Sequence, residues 1–267
     1  QVISKARELD VPSVAMVFEP QPHEFFSGEQ APARLMRLRE KALALFEAGI
    51  DRVCCLQFNP SLRSLSAENF IQKVLVDGLG VKYLVVGDDF RFGCDRSGDY
   101  QLLQRVGQEK GFEVSDTHTF EVGGERVSST RIRSELERGA FAKVTELLGK
   151  PYGISGHVGY GQQLGRQLGV PTANVQLRRY RSPLSGVFAV IVHLADGRCV
   201  NGVANVGVRP TVGDILKPIL EVHLLDFDGD LYGQMITVEF KTKLREEQKF
   251  ESIDVLTKQI HRDIDDA

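Results

Sequence analysis

At 267 residues the chain holds about two domains at roughly 150 residues each, long enough for each to bury a core of its own. An apolar fraction of 42% with 26% charged residues excludes a disordered tail, and 33 basic against 36 acidic residues, a net charge of −3, offer no bulk attraction to nucleic acid or an anionic membrane. The longest apolar stretch, residues 187–195, is broken by His193 and far too short to span a bilayer, while four cysteines without a CxxC pair fit ordinary buried thiols in a reducing cytoplasm.

Gln1 stands first instead of Met and no signal-peptide pattern follows, so a missing piece of the natural N-terminus is the expectation. Residues 13–18 (SVAMVF), 52–58 (RVCCLQF), 82–87 (KYLVVG) and 112–119 read as short apolar strands, the middle two as runs buried on both faces. Between them Leu35, Leu38, Ala42, Leu45 and Phe46 recur at helical spacing, and residues 67–79 follow Ser66, an N-cap with Glu68 in the first turn. Strand, helix, strand, helix predicts a parallel sheet with crossover helices. Two further helices, 129–137 and 141–148, lead to Gly149-Lys150-Pro151, where the pattern changes and the domain boundary is predicted.

Beyond it, residues 153–158, 186–194, 199–208, 219–225 and 235–240 read as strands separated by Gly and Asp-Gly turns, an antiparallel set expected to form a small barrel. Asp196-Gly197 and Asp228-Gly229 are hairpin signals. A last amphipathic helix carries Ile253, Leu256, Ile260 and Ile264 on one stripe and is expected to cover an open end or edge.

The segment GYGQQLGRQLGVPTAN at 159–174 is the most unusual. Gly159, Gly161, Gly165 and Gly169 give a backbone able to approach a phosphate closely, without the Gly-Lys-Ser/Thr of a P-loop. Thr172 and Asn174, two apart, project to one side of an extended segment as neutral oxygen ligands of the kind Mg²⁺ shares with ATP phosphates. A flexible hairpin loop followed by a Pro-Thr turn fits the same spacing equally well. In ILEVHLLD at 219–226, Glu221 and His223 face away from Leu220, Val222 and Leu224. Glu221 is a candidate general base beside the loop, or a solvent-facing glutamate of an edge strand. Asp226, Asp228 and Asp230 lack the glutamate that completes a calcium loop and read as turn residues, and the six histidines offer no zinc spacing.

In the first half, GDDFRFG at 87–93 follows a strand and so lies at the carboxyl edge of a parallel sheet, where open α/β folds bind ligands. Its phenylalanines sandwich an aromatic ring or pack the loop down. SSTRIR at 128–133 opens a helix and brings hydroxyls, free N–H groups and a guanidinium to one anion-sized spot, or simply caps a surface helix.

Together these segments, with FEPQP at 18–22, GVANVGVRPT at 202–211 and LEVHL at 220–224, resemble the bacterial bifunctional riboflavin kinase/FMN adenylyltransferases, in the family's order and over essentially the whole chain. The resemblance implies a Rossmann-like α/β nucleotidyltransferase domain, 1–150, that adenylylates FMN to FAD. It also implies a flavokinase β-barrel with a C-terminal helix, 151–267, that phosphorylates riboflavin to FMN. It implies Mg²⁺ and ATP held at Thr172 and Asn174, Glu221 as the catalytic base, and Gly159, Gly161, Gly165 and Gly169 closing over phosphates. In the first domain it implies Ser128, Ser129, Thr130 and Arg133 on ATP phosphates, and Phe18, Pro20, Pro22, Asp88 and Phe90 along the flavin.

One departure stands against it. The family's Gly-Asn-Phe-Asp-Gly-Val-His-x-Gly-His type signature precedes the helix with which this chain begins and is absent here, so the first domain is expected to be inactive in adenylyl transfer. A nucleic-acid-binding barrel using Arg178, Arg179 and Arg181 is the rival from another class, and a non-catalytic flavin carrier is a third. The expected partners are small molecules, with neither nucleic acid nor membrane; the sequence is compatible with self-association.

Overall fold

In the computed structural model the described residues are 1–87, 89–117, 120–161, 165, 168–210 and 216–267, with the backbone alone at 209, 210, 216 and 217. By packing they form two compact units, Gln1–Ala31 with Leu38–Phe120, and Pro32–Arg37 with Glu121–Ala267.

The first unit runs α1 (Val2–Glu8), β1 (Val14–Glu19), α2 (Pro22–Ser27), α3 (Leu38–Glu47), β2 (Arg52–Gln57), α4 (Pro60–Arg63), α5 (Ala67–Phe70), β3 (Tyr83–Val86), α6 (Tyr100–Lys110) and β4 (Glu113–Asp116). All four expected strands are present, in two parallel pairs, β1 with β2 and β3 with β4. Parallel neighbours need crossovers, and α3 and α6 supply them. The Ser66 hydroxyl accepts from the Asn69 N–H at 3.2 Å, so the cap forms as read, but after α5 the helix widens into a π-helical stretch, Ile71–Gly78. β2 and β3 are not buried on both faces: β2 exposes Arg52, Cys55 and Gln57, and β3 is half-buried throughout. Each has a single hydrogen-bonded strand neighbour among the described residues. The four thiols are free, and Cys55, Cys94 and Cys199 are exposed rather than buried.

The second unit begins with a small hairpin, β5 (Glu121–Val122) and β6 (Glu125–Arg126), then α7 (Ser129–Glu137) and α8 (Phe141–Leu148). There follow β7 (Gly153–Gly159), β8 (Ala173–Val175), β9 (Gly186–His193), β10 (Cys199–Pro210), β11 (Leu216–Leu224), β12 (Met235–Arg245) and α9 (Ile253–Asp265). The strands close a barrel in the order β10-β11-β8-β7-β12-β9, every pair antiparallel. Alternation sends Ile154, Val158, Phe188, Val190, Leu220 and Val238 inward, with Phe188 and Phe240 edge to face at 5.2 Å. Ile132, Leu136, Phe141, Val144 and Leu147 of α7 and α8 join that same core.

Leu35 shares the helical spacing of α3 yet lies outside it, in a strap that packs on the barrel. The Tyr152 hydroxyl donates to the Leu35 carbonyl at 3.1 Å, Arg179 to that of Arg34 at 3.0 Å, and Arg133 to that of Ala33 at 2.6 Å. Asp196-Gly197 turns β9 into β10 as expected, whereas Asp228-Gly229 is no hairpin, because β11 and β12 are not neighbours in the barrel. A closed barrel has no edge for α9 to cover; α9 lies on its outer wall instead, with Ile253 59% exposed and off the buried stripe.

Candidate functional site

The antiparallel register draws one polar row across the barrel. Asn205 of β10 stands opposite Glu221 of β11, Glu221 opposite Asn174 of β8, and Asn174 opposite Gly159 of β7. Direct cross-strand partners share a face. Their neighbours Ala204, Val206, Leu220, Val222, Ala173 and Val175 are buried in the core, so the row looks outward. Glu221 therefore sits on a central strand of a closed sheet, not on an edge.

An outward face is ordinarily wet, but here α9 and the chain before it roof it over. The space between is a cavity of about 330 Å³, with Thr172, Asn205, Glu221 and His223 on the barrel side and Phe250, Leu256, Ile260 and Ile264 opposite. Arg245 at the end of β12 clamps α9 in place: its Nε donates to Asp263 at 2.9 and 3.1 Å and its Nη2 at 2.7 Å. The guanidinium also lies 5.5 Å from the Phe250 ring centroid.

A second cavity of about 490 Å³ lies on the other side of Thr172, which lines both. Its walls are Pro171, Thr172 and Asn174 on one side and Phe227, Asp228, Asp230 and Tyr232 of the β11–β12 loop on the other. The glycine segment comes down onto the Thr/Asn pair: a Cβ at Gly161 would overlap the Asn174 carboxamide, and one at Gly165 would strike the Val170 carbonyl and reach the Thr172 hydroxyl. Only glycine allows that approach. Gly169, at φ +79°, turns the chain back so that the Val170 N–H donates to the Gly165 carbonyl at 2.8 Å. His223 holds the start of the pair, its Nδ1 2.8 Å from the Pro171 carbonyl. Tyr160 and Tyr232 stack at 4.2 Å beside this cavity.

The remaining candidates fall elsewhere. Ser128 caps α7, its hydroxyl accepting from the Arg131 N–H at 3.2 Å, and leaves Ser129 and Thr130 exposed in the first turn. Arg133 donates its Nε to the Ala33 carbonyl, and burial depresses the pKa of its guanidinium. In the first unit, Phe18 is the penultimate residue of β1, Pro20 follows the strand through the cis Glu19–Pro20 peptide, and Pro22 opens α2. Phe18 packs edge to face on Phe58 at 5.9 Å, and Phe90 stacks on Phe92 at 5.4 Å, both pairs at or beyond the carboxyl ends of parallel strands. Asp88 lies outside the described residues. Of the arginine run, Arg179 is buried under the 32–37 strap rather than lining a groove.

The sequence model of the family described as riboflavin kinase matches residues 148–267, and that described as FAD synthetase matches residues 1–131. A bifunctional riboflavin kinase/FMN adenylyltransferase of Pseudomonas fluorescens is 55% identical over 97% of this chain and 83% of its own. The chain belongs to the bifunctional riboflavin kinase/FMN adenylyltransferase family. A member from Escherichia coli K12 is 51% identical over 97% of this chain and 82% of its own. Among solved structures, one titled macrolide-efflux protein, from Streptococcus pneumoniae, superposes with a TM-score of 0.79 at 28% identity over 98% of this chain and 85% of that one.

Within this family member, sequence reasoning passed over Asn205, Arg245, Asp263 and Phe250. Asn205 carried a signal, because it shares the outward alternation of β10 with Val203; the Arg245–Asp263 clamp carried none, its partners being 18 residues apart with no periodic link.

Proposed function

We propose that the barrel unit transfers the γ-phosphoryl group of ATP to the 5′-hydroxyl of riboflavin where its two cavities meet. Thr172, shared by both cavities and two residues from Asn174, carries this reading, since it stands where a phosphate from one side reaches a hydroxyl from the other. The smaller cavity, with an apolar wall on α9 and a polar row opposite, suits a flavin with its ring on the helix and its ribityl chain on the barrel. The larger takes the nucleotide.

Glu221 removes the proton from the 5′-hydroxyl as the oxygen bonds to the γ-phosphorus and ADP leaves. Its cross-strand partner Asn174 brings the nucleotide side of the row next to the base. Neutral oxygens on Thr172 and Asn174, with Asp228 and Asp230 lining the same cavity, are hard donors that fit Mg²⁺. When bound there, the ion neutralises phosphate charge. Gly159, Gly161, Gly165 and Gly169 let the backbone close on the phosphates without side chains intervening.

The adenylylation of FMN is assigned to residues 1–150 and the kinase to 151–267. Ser128, Ser129, Thr130 and Arg133 serve ATP phosphates at the head of α7, where free N–H groups favour an anion, and Phe18, Pro20, Pro22, Asp88 and Phe90 serve the flavin. The partners are small molecules, with nucleic acid left out because net charge and Arg179 offer no basic groove. No helix among the described residues is long and apolar enough to cross a membrane, and free thiols favour the cytoplasm. Incubation with riboflavin, ATP and Mg²⁺, followed by chromatographic separation of flavins, is expected to yield FMN; folded protein that makes none overturns the kinase assignment.

A further inference from the structure

Asn205 is a polar residue in the outward row of β10. Its Oδ1 is buried and has no hydrogen-bond partner among the described residues, while the residue lines the smaller cavity. A buried acceptor left unpaired costs stability, so its presence calls for a partner that arrives from outside. The neighbours do not supply one: Val187, its partner on β9, is apolar, and Arg245, next along the same row, is committed to Asp263. On the other side stands Glu221.

We infer that Asn205 is a riboflavin-binding residue that recognises the ribityl chain rather than the ring, an inference that rests on the kinase reading above. Opposed residues of an antiparallel pair hold their Cβ atoms about 4.5–5.5 Å apart. If Glu221 meets the 5′-hydroxyl, a group one strand away meets the hydroxyls next along the ribityl chain, and the isoalloxazine lies beyond, against Phe250, Leu256 and Ile260. A hydroxyl both donates and accepts, so it satisfies the carboxamide through either end. The residue thereby selects flavins bearing a hydroxylated chain.

The test uses the full chain and two probes, riboflavin and lumiflavin, which has the same ring system with a methyl group in place of the ribityl chain. Asn205→Leu keeps the size and removes the polar atoms. Its dissociation constant for riboflavin, read from flavin fluorescence, is expected to rise about ten- to a hundredfold. Lumiflavin affinity and the KM for ATP stay unchanged, and the melting temperature of the ligand-free protein stays level or rises, because an orphaned acceptor has gone. Asn205→Asp retains the acceptor and is expected to keep part of the riboflavin affinity. An equal loss for both flavins, a fall in kcat with riboflavin affinity intact, or a lower melting temperature of the ligand-free Leu variant overturns the inference. Unsubstituted protein that makes no FMN overturns the kinase reading itself, whereas FMN formation without ribityl-selective loss in Asn205→Leu overturns this inference alone.

Discussion

Removing one partner of the clamp between β12 and α9 tests whether that helix is held by charge or by its apolar stripe. The Asp263 side chain is 5% exposed and that of Arg245 17%, and Asp263 also accepts from Gln259 Nε2 at 2.9 Å. Asp263→Ala strands a guanidinium in a nearly dry site, which typically costs about 3–5 kcal/mol. For a protein of this size each kcal/mol moves the melting temperature by about 2–4 °C, so a fall of about 6–20 °C is expected for the barrel unit. The pair itself is a different matter: Arg245→Met with Asp263→Leu replaces it by apolar volume and is expected to be near neutral or stabilising. Thermal melts of both variants separate these costs. Since α9 walls the smaller cavity, Asp263→Ala should also raise the KM for riboflavin more than that for ATP. A loss below about 1 kcal/mol, the range of exposed ion pairs, refutes the argument, as does a double variant as damaged as the single one.

Glu221→Gln is expected to leave riboflavin affinity nearly intact and slow FMN formation by about 10²-fold or more, measured as kcat; near-normal turnover would reassign Glu221 to structure. Thr172→Ala or Asn174→Ala should raise the Mg²⁺ and ATP concentrations needed for half-maximal rate more than that of riboflavin, and an unchanged metal dependence would remove both from the nucleotide side. Burial works against ionisation of Glu239, but hydrogen bonds and charge from Lys241 and His193 outweigh it and hold its carboxyl below the usual range. Its contribution is present above the ordinary carboxylate pKa and is lost as pH falls through the lower folded value. Melting curves of Glu239→Gln should therefore lie below those of the unsubstituted protein at neutral pH and converge with them in acid; a gap constant with pH would show that charge is not the cause.

What was legible before folding was local. The alternation of Leu220, Val222 and Leu224 against Glu221 and His223 already placed the last two on one face, because a strand repeats every two residues whatever surrounds it. Ser66 and Ser128 announced helix starts for the same reason: a cap and the N–H it accepts are neighbours in the chain. The glycines of 159–169 signalled close approach, though not to what. Leu35 shows where such reasoning misleads, since helical spacing assigned it to α3 while its packing partners lie on the barrel.

The sequence by itself determined most of the strands, the capped helices, the two faces of β11 and the run of motifs that ties the chain to its family, all of which depend on spacings of a few residues; α6 and the short β8 were not read from it. Only the tertiary structure decided that Gly159, Asn174, Glu221 and Asn205 form one row, because that follows from the register of a closed barrel, which aligns residues as far as 62 positions apart in the chain, from Gly159 to Glu221. It alone turned an outer wall into a cavity by laying α9 across it and fastening Asp263 to Arg245. No local pattern records such a meeting, since burial of a charged pair and closure of a barrel are properties of surfaces brought together, not of the segments that supply them.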